Sequence, residues 1–409
     1  MAKEDHPLVS LVSFVRGGFM FEVIIAGARC AGAALAAFLG QRGIRTLLID
    51  KYTEPGPTLS THIIGEIEVY ERLGILQSME QSGAPLISRM RVDINGAVTE
   101  ADLMTTPRVI GLRRELLDPM LLEAAGRYSS VTVKLQMRVT SVIRQGGQVS
   151  KLTCMDHRGR VHHYYGKVVV GADGRDSMVA RELQARILRQ PPSPLHSVCY
   201  VYASGVLPQP LPTIEWYWHE DGIVIINPID GDRHCIAVMV PNDRFKRWSK
   251  SLAGSFVHFL SSIRTLAPRI KNIQFAGTVR GIPAFRSFIK EAYGEGWVLV
   301  GDAGGTLHPV SGVGIDNAVC GAEALAAALD GFLRSNKQWD ESMEAYKHTR
   351  DERIMPQYDH SLRTLAKTTE QVSNESIDMI RMLYTFPSMA KTMIQRSDHV
   401  YSLLKEEQA

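Results

Sequence analysis

Residues 21–50, "FEVIIAGARCAGAALAAFLGQRGIRTLLID", constrain the fold more than any other stretch. The apolar run 21–26 reads as a buried strand. Residues 31–41 read as a helix with Leu35, Phe38 and Leu39 on one face, and Gly43 fits its C-terminal stop. "RTLLID" (45–50) reads as a second buried strand. A β-α-β unit of about 30 residues is the size a parallel crossover needs, so an α/β fold follows. Its turn, "GARCAG" (27–32), departs from the G-x-G-x-x-G pattern, because Arg29 replaces the middle glycine. Gly27 permits the tight turn, and Gly32 lets helix and strand pack closely. A helix N-terminus offers unpaired N–H groups and a positive dipole end, which suits phosphate. Arg29 is compatible with that use if its Cβ points away from the phosphates. Asp50 follows Gly27 by 23 residues, near the spacing of an acid that takes ribose hydroxyls.

The chain has 409 residues, enough for about two or three domains. Its 45% hydrophobic and 22% charged residues suit a globular protein, and a net charge of +3 gives no argument for nucleic acid. No apolar run reaches the ~18 residues of a membrane span. The five cysteines (30, 154, 199, 235, 320) form no C-x-x-C pair and read as reduced thiols of a cytoplasmic protein. Residues 1–19 make a poor signal peptide and read as an extension upstream of Met20.

Further along, "RRELLDPMLLEAAGR" (113–127) is helical by its apolar spacing, and 131–171 has the short alternating runs and turns of a β-meander. Residues 185–285 are β-rich and Pro-containing. The chain then returns to a buried strand, "GWVLVGD" (296–302), and an Ala-rich helix at about 314–333. Two more strand-loop-helix motifs stand out. "VVVGADGRDSMVAREL" carries Asp173, Gly174 and Arg175 before a helix capped by Ser177. "VLVGDAGGTLHPVSGVGIDNAV" carries Asp302, Pro309, Gly312 and Gly314. An acid at the carboxyl end of a parallel strand sits where such sheets bind ligands.

Three motifs in this order resemble the FAD-dependent monooxygenases of the aromatic-hydroxylase type, whose superfamily also holds flavin halogenases and geranylgeranyl reductases. The "GARCAG" spelling is similar to one branch of these flavoproteins, which makes Arg29 a branch variant. The resemblance covers residues 20–350. It implies a Rossmann-like FAD-binding domain with a parallel sheet (20–184 and 286–350) and an inserted β-rich substrate domain (185–285); residues 351–409, beyond the resemblance, read as a mostly helical and charged C-terminal segment.

It further implies that Gly27, Ala28, Arg29, Cys30, Ala31 and Gly32 hold the FAD pyrophosphate. Asp50, with Lys51 beside it, holds the adenosine ribose. Arg114 braces the cofactor with Arg113 next to it, and the backbone of Val139 meets the adenine. Asp173, Gly174 and Arg175 serve both FAD and NAD(P)H. Asp302 bonds the ribityl chain, and Pro309, Gly312, Val313, Gly314 and Ile315 border the isoalloxazine. Asp316 is expected to point away from the flavin. The family's "GDAAH" is "GDAGG" here, so no histidine role carries onto the shifted His308.

The implied activity is NADH- or NADPH-dependent insertion of one oxygen atom from O2 into a small organic substrate, aromatic or polyketide-like, through a C4a-hydroperoxyflavin on non-covalent FAD. Ser60 and His62, in "TLSTH", fall where the family's chain passes the flavin and are the candidate catalytic contacts; a loop-capping cluster is the alternative. A reductase of a prenyl or polyene substrate is the second reading and a halogenase the third. Trp216 and Trp218 have the halogenase spacing, but "WYWHED" does not continue to its I-P. A non-enzymatic FAD-binding regulator is a further alternative. Cys154, His157, His162 and His163 are discounted as a metal site, because adjacent histidines on a hairpin face opposite sides.

Overall fold

The computed structural model describes residues 20–367 apart from 55, 57, 104–108, 146–147, 195 and 249. The expected extension (1–19) and most of the expected C-terminal segment thus lie outside the described residues. The framing elements are β1 (Met20–Ala26), α1 (Cys30–Gln41), β2 (Thr46–Ile49), β3 (Arg89–Ile94), β4 (Ala97–Asp102), α2 (Arg114–Gly126), β5 (Val131–Lys134), β6 (Met137–Gln145), β7 (Gln148–Asp156) and β8 (Val161–Gly171). They continue as β9 (His196–Ser204), β10 (Thr213–His219), β11 (Gly222–Ile229), β12 (Arg233–Pro241), β13 (Trp297–Leu299), α3 (Gly314–Arg334) and α4 (Trp339–Lys367).

One eight-stranded sheet has β13, β8, β1, β2 and β5 as parallel neighbours in that order. The β6–β7 hairpin hangs antiparallel from β8. Register brings the strand ends together: Ala26 lies opposite both Ile49 and Gly171, and Gly171 opposite Leu299. The residues that follow are Gly27, Asp50, Asp173 and Asp302. Motifs some 270 residues apart thus share one carboxyl edge.

Helix α1 differs from the one-faced helix expected. Every residue from Cys30 to Gly40 is buried, because the Ala side opposite Leu35 and Phe38 packs against α2 and α3. Gly27 has φ +106°, and a Cβ at Gly32 would lie 1.8 Å from the Gly27 carbonyl oxygen, so both glycines are required.

The second eight-stranded sheet runs β9, β12, β11, β10, β3, β4, with short strands at its β9 edge. It is not confined to 185–285: β3 pairs in parallel with β10, so residues 89–102 complete it. Two helices, Asn242–Trp248 and Leu252–Ser262, also fall within the span expected to be β-rich. Side chains alternate between two cores. Val201, Val224, Ile236 and Val238 face the helix Leu252–Ser262, whereas Val198, Tyr202, Ile225 and Met239 face the first half of the molecule beside Ile63, Phe285 and Val310. "IEWYWHE" follows this alternation, with Trp216 on the inner face and Tyr217 on the outer. Among the described residues no helix is long and apolar enough to cross a membrane.

Candidate active site

A cavity of about 840 Å³ runs along the carboxyl edge of the first sheet, within the ~300–1,000 Å³ of small-molecule sites. At one end are Asp50, Lys51, Tyr52, Met137, Arg138 and Val139. The middle is walled by Gly27, Arg29, Cys30, Ala31, Arg114, Gly174, Arg175 and Asp302. At the other end are Ser60, Ile282, Phe285, His308, Pro309, Gly312, Gly314 and Ile315. The termini of α1 and α3 both open here. Neither has a side-chain cap on its first N–H groups, so two positive dipole ends are available to a ligand.

Arg29 holds the N-cap position of α1 in extended backbone. Its guanidinium swings to the 52–56 segment, donating to the Gly56 carbonyl at 3.4 Å and lying 5.5 Å from the Tyr52 ring centroid. The side chain therefore crosses the rim and leaves the turn open. Asp50 braces the same turn by accepting the Ala28 N–H at 2.7 Å and the Tyr52 N–H at 3.0 Å. Ala28 and Gly32 do not line the cavity: Ala28 faces Asp50, and Gly32 packs on Gly27.

Arg114 is held by Asp118 in a two-pronged pair at 2.7 and 2.9 Å. Burial opposes its charge, but the Asp118 carboxylate outweighs burial and keeps it protonated. Cys30 also donates to Asp118, and burial pushes its thiol well up, away from reactivity. Asp302 lines the cavity and is exposed to the solvent that fills it. Crowding by the walls lifts its carboxyl to about 6 against the pull of Arg114 and Arg175.

Several expected roles need correction. Arg113 does not line the cavity; its guanidinium pairs with Asp230 in the β11–β12 turn at 2.7 Å and ties the second sheet to the start of α2. His62 does not line it either. It is fully buried at φ +59°. Its Nδ1 accepts the Arg114 N–H at 3.1 Å, so the proton sits on Nε2, 2.9 Å from the Tyr202 hydroxyl, which donates to Glu115 at 3.0 Å. Burial, with the nearby Arg114 charge, lowers its pKa to about 3. His62 is thus a neutral tie between the halves, while Ser60 remains in the wall and accepts the His62 N–H. Asp173 lines the cavity, but its carboxylate accepts from the Ser177 hydroxyl and the Met178 and Val179 N–H groups. Val313 packs with Ile289, Leu307 and Ile354.

Asp316 does turn away: it is buried and accepts from the Gly65 N–H at 2.8 Å and the Tyr70 hydroxyl at 3.1 Å. Ser177 does cap the helix Met178–Glu182 through the Ala180 N–H. Of the discounted metal group, Cys154 is buried, His162 meets Asp156, and His163 meets Thr153. Ile282 and Phe285 were missed because "GIPAFRSF" has neither helical nor strand period.

The family described as FAD binding domain matches residues 20–361. The 1H-pyrrole-2-carbonyl-[peptidyl-carrier protein] brominase of Pseudoalteromonas luteoviolacea is 24% identical over 358 residues, 80% of this chain and 81% of that protein. The FAD-dependent monooxygenase penE of Penicillium thymicola is 25% identical over 357 residues, 77% of this chain and 71% of its own. Digeranylgeranylglycerophospholipid reductases, such as that of Methanosarcina acetivorans, are also similar. Among solved structures, the myxobacterial chondrochloren halogenase CndH superposes with a TM-score of 0.79 at 17% identity, covering 93% of this chain and 90% of CndH; that likeness concerns the fold. With the family matched over most of its length, the chain belongs to the FAD-binding-domain family and is an FAD-dependent oxidoreductase of the monooxygenase type.

Proposed function

We propose that this protein is an FAD monooxygenase that takes electrons from NADH or NADPH and places one atom of O2 on a small organic substrate. The observation that carries the reading is the cavity itself: two uncapped helix termini, two acids at strand ends and an apolar end in one continuous space. The likeness to penE supports it from sequence. Bound FAD would supply the electron carrier and the reaction with O2; the chain supplies the following.

The α1 terminus holds the pyrophosphate, with Arg29 at the rim, and Asp50 with Lys51 takes the adenosine ribose beside Val139. Asp302 accepts the ribityl hydroxyls, with Arg114 and Arg175 keeping it ionised. Pro309, Gly312, Gly314 and Ile315 wall the ring end. There the α3 terminus favours negative charge, and Asp316 is kept from opposing it by its bonds to Gly65 and Tyr70. Arg175, 5.0 Å from the Phe285 ring centroid, is the cation for the nicotinamide donor. The second sheet covers the ring end and excludes water. Cytoplasmic location fits five free cysteines.

The second reading is a prenyl or polyene reductase, favoured by the methanogen relatives. The test is NAD(P)H oxidation by the purified protein across a panel of small aromatics and prenyl compounds. Turnover driven by a prenyl compound that gains two hydrogens would replace the first reading with the second.

A further inference from the structure

Arg175 lines the cavity from the "ADGRD" loop. Its carboxylate neighbour Asp176 lies 3.6 Å away with a side chain 91% exposed, a pair that water weakens. A second contact comes from the other half of the molecule. Phe285 also lines the cavity, and its ring centroid is 5.0 Å from the Arg175 guanidinium carbon, within cation-over-ring distance. Phe285 is itself fixed: it is buried in the inner-face cluster and meets the His308 ring edge-on at 5.1 Å. The backbone aims it. Ala284, just before it, has φ +47°, a left-handed conformation that costs free energy for any residue with a Cβ. Two hydrogen bonds from the start of β9 hold that strain. Ser197 Oγ accepts the Ala284 N–H at 3.0 Å, and the His196 carbonyl accepts the Phe285 N–H at 2.9 Å. Strain held in place beside a cavity is characteristic of functional sites, and here its product is a ring turned onto Arg175.

We propose that Phe285 is a positioning residue for the nicotinamide dinucleotide donor, holding the Arg175 guanidinium where the anionic donor meets it. The inference rests on the reading of Arg175 as the donor's cation. A guanidinium already fixed over a ring has fewer orientations to lose when the donor arrives. The gain therefore falls on donor binding and leaves FAD binding and the reduction step alone.

The test is anaerobic reduction of the FAD-loaded protein by NADH and by NADPH in stopped flow, which separates the donor Kd from the limiting reduction rate. Phe285→Leu keeps an apolar side chain and removes the ring face, whereas Phe285→Tyr keeps the face. In Phe285→Leu the donor Kd should rise about three- to tenfold, the worth of a partly shielded cation–ring contact. Its limiting rate and FAD affinity should stay near wild type, and Phe285→Tyr should match wild type throughout. Because Phe285 acts through Arg175, Phe285→Leu should add nothing in an Arg175→Ala background. An unchanged donor Kd in Phe285→Leu would overturn the inference, as would an equal effect with and without Arg175. Loss of FAD from Phe285→Leu would make the ring a structural wall and overturn it too. A wild-type flavin that neither dinucleotide reduces, or a wild-type donor Kd in Arg175→Ala, would instead overturn the donor reading of Arg175 and the inference with it.

Discussion

Asp302 lines the cavity at a structural cost. Its carboxyl is lifted from 3.8 to about 6 by crowding in the cavity wall. A carboxyl with a raised folded pKa contributes stability below its unfolded value and loses it as pH rises through the folded value. Above pH 6 the ionised Asp302 therefore destabilises the FAD-free chain, while the same charge suits ribityl hydroxyls. Asp302→Ala should weaken FAD binding by about 1.5–3 kcal/mol, the worth of a charge-assisted hydrogen bond. Its FAD-free form should melt at the wild-type temperature or above it at pH 7.5. Fluorescence titration and thermal unfolding read the two effects; unchanged affinity would remove Asp302 from the site. The placement of Asp50 and Asp302 along the cavity was legible in the sequence because each ends an apolar run, Asp50 before a loop rich in Pro and Ser/Thr and Asp302 before a Gly-rich one. The place of His62 was not legible because its ring partners Tyr202 and Arg114 lie 140 and 52 residues away, with no local signature.

At the scale of elements, the "ADGRD" loop divides its labour. Asp173 serves as a cap for the helix Met178–Glu182, whereas Arg175 remains available to the cavity. Asp173→Ala should therefore cost stability, about 0.5–2 kcal/mol as for other lost caps, with FAD affinity little changed. Arg175→Ala should do the reverse and raise the KM for NAD(P)H. Urea unfolding and steady-state kinetics on both variants separate the roles, and loss of FAD from a fully folded Asp173→Ala would contradict the division. β1, α1 and β2 could be read from sequence because period and glycine spacing are local. The pairing of β3 with β10 could not, since it joins segments over a hundred residues apart and depends on register. The full burial of α1 was hidden for a related reason: alanine accepts a close neighbour but does not announce one.

Across the whole molecule, histidine burial couples the two halves to pH. His62 and His196 have folded pKa values near 3 and 4, and His308 lies well below the ordinary value, all through burial. A histidine with a depressed folded pKa supports the fold fully above about pH 6.5 and loses that support as pH falls. Asp302 and Asp316, both near 6, act in the opposite sense between about 6 and 3.8. The comparison of wild type with His62→Gln isolates one proton. Between pH 6.5 and 4.5, wild-type unfolding free energy should fall more steeply than the variant's by up to about 1.4 kcal/mol per pH unit. Parallel pH profiles in urea unfolding would contradict the neutral tie at His62.

The cavity runs along the carboxyl edge of the parallel sheet, and Ile282, on a short strand at the β9 edge of the second sheet, and Phe285, in the loop after it, wall one end. That enclosure suits oxygen transfer, which needs water kept from the reacting flavin. The most direct test uses the FAD-loaded protein with NAD(P)H, a small molecule that accelerates its oxidation, and 18O2. The product should gain one oxygen atom and carry the label. A product that gains two hydrogens and no label would contradict the monooxygenase assignment.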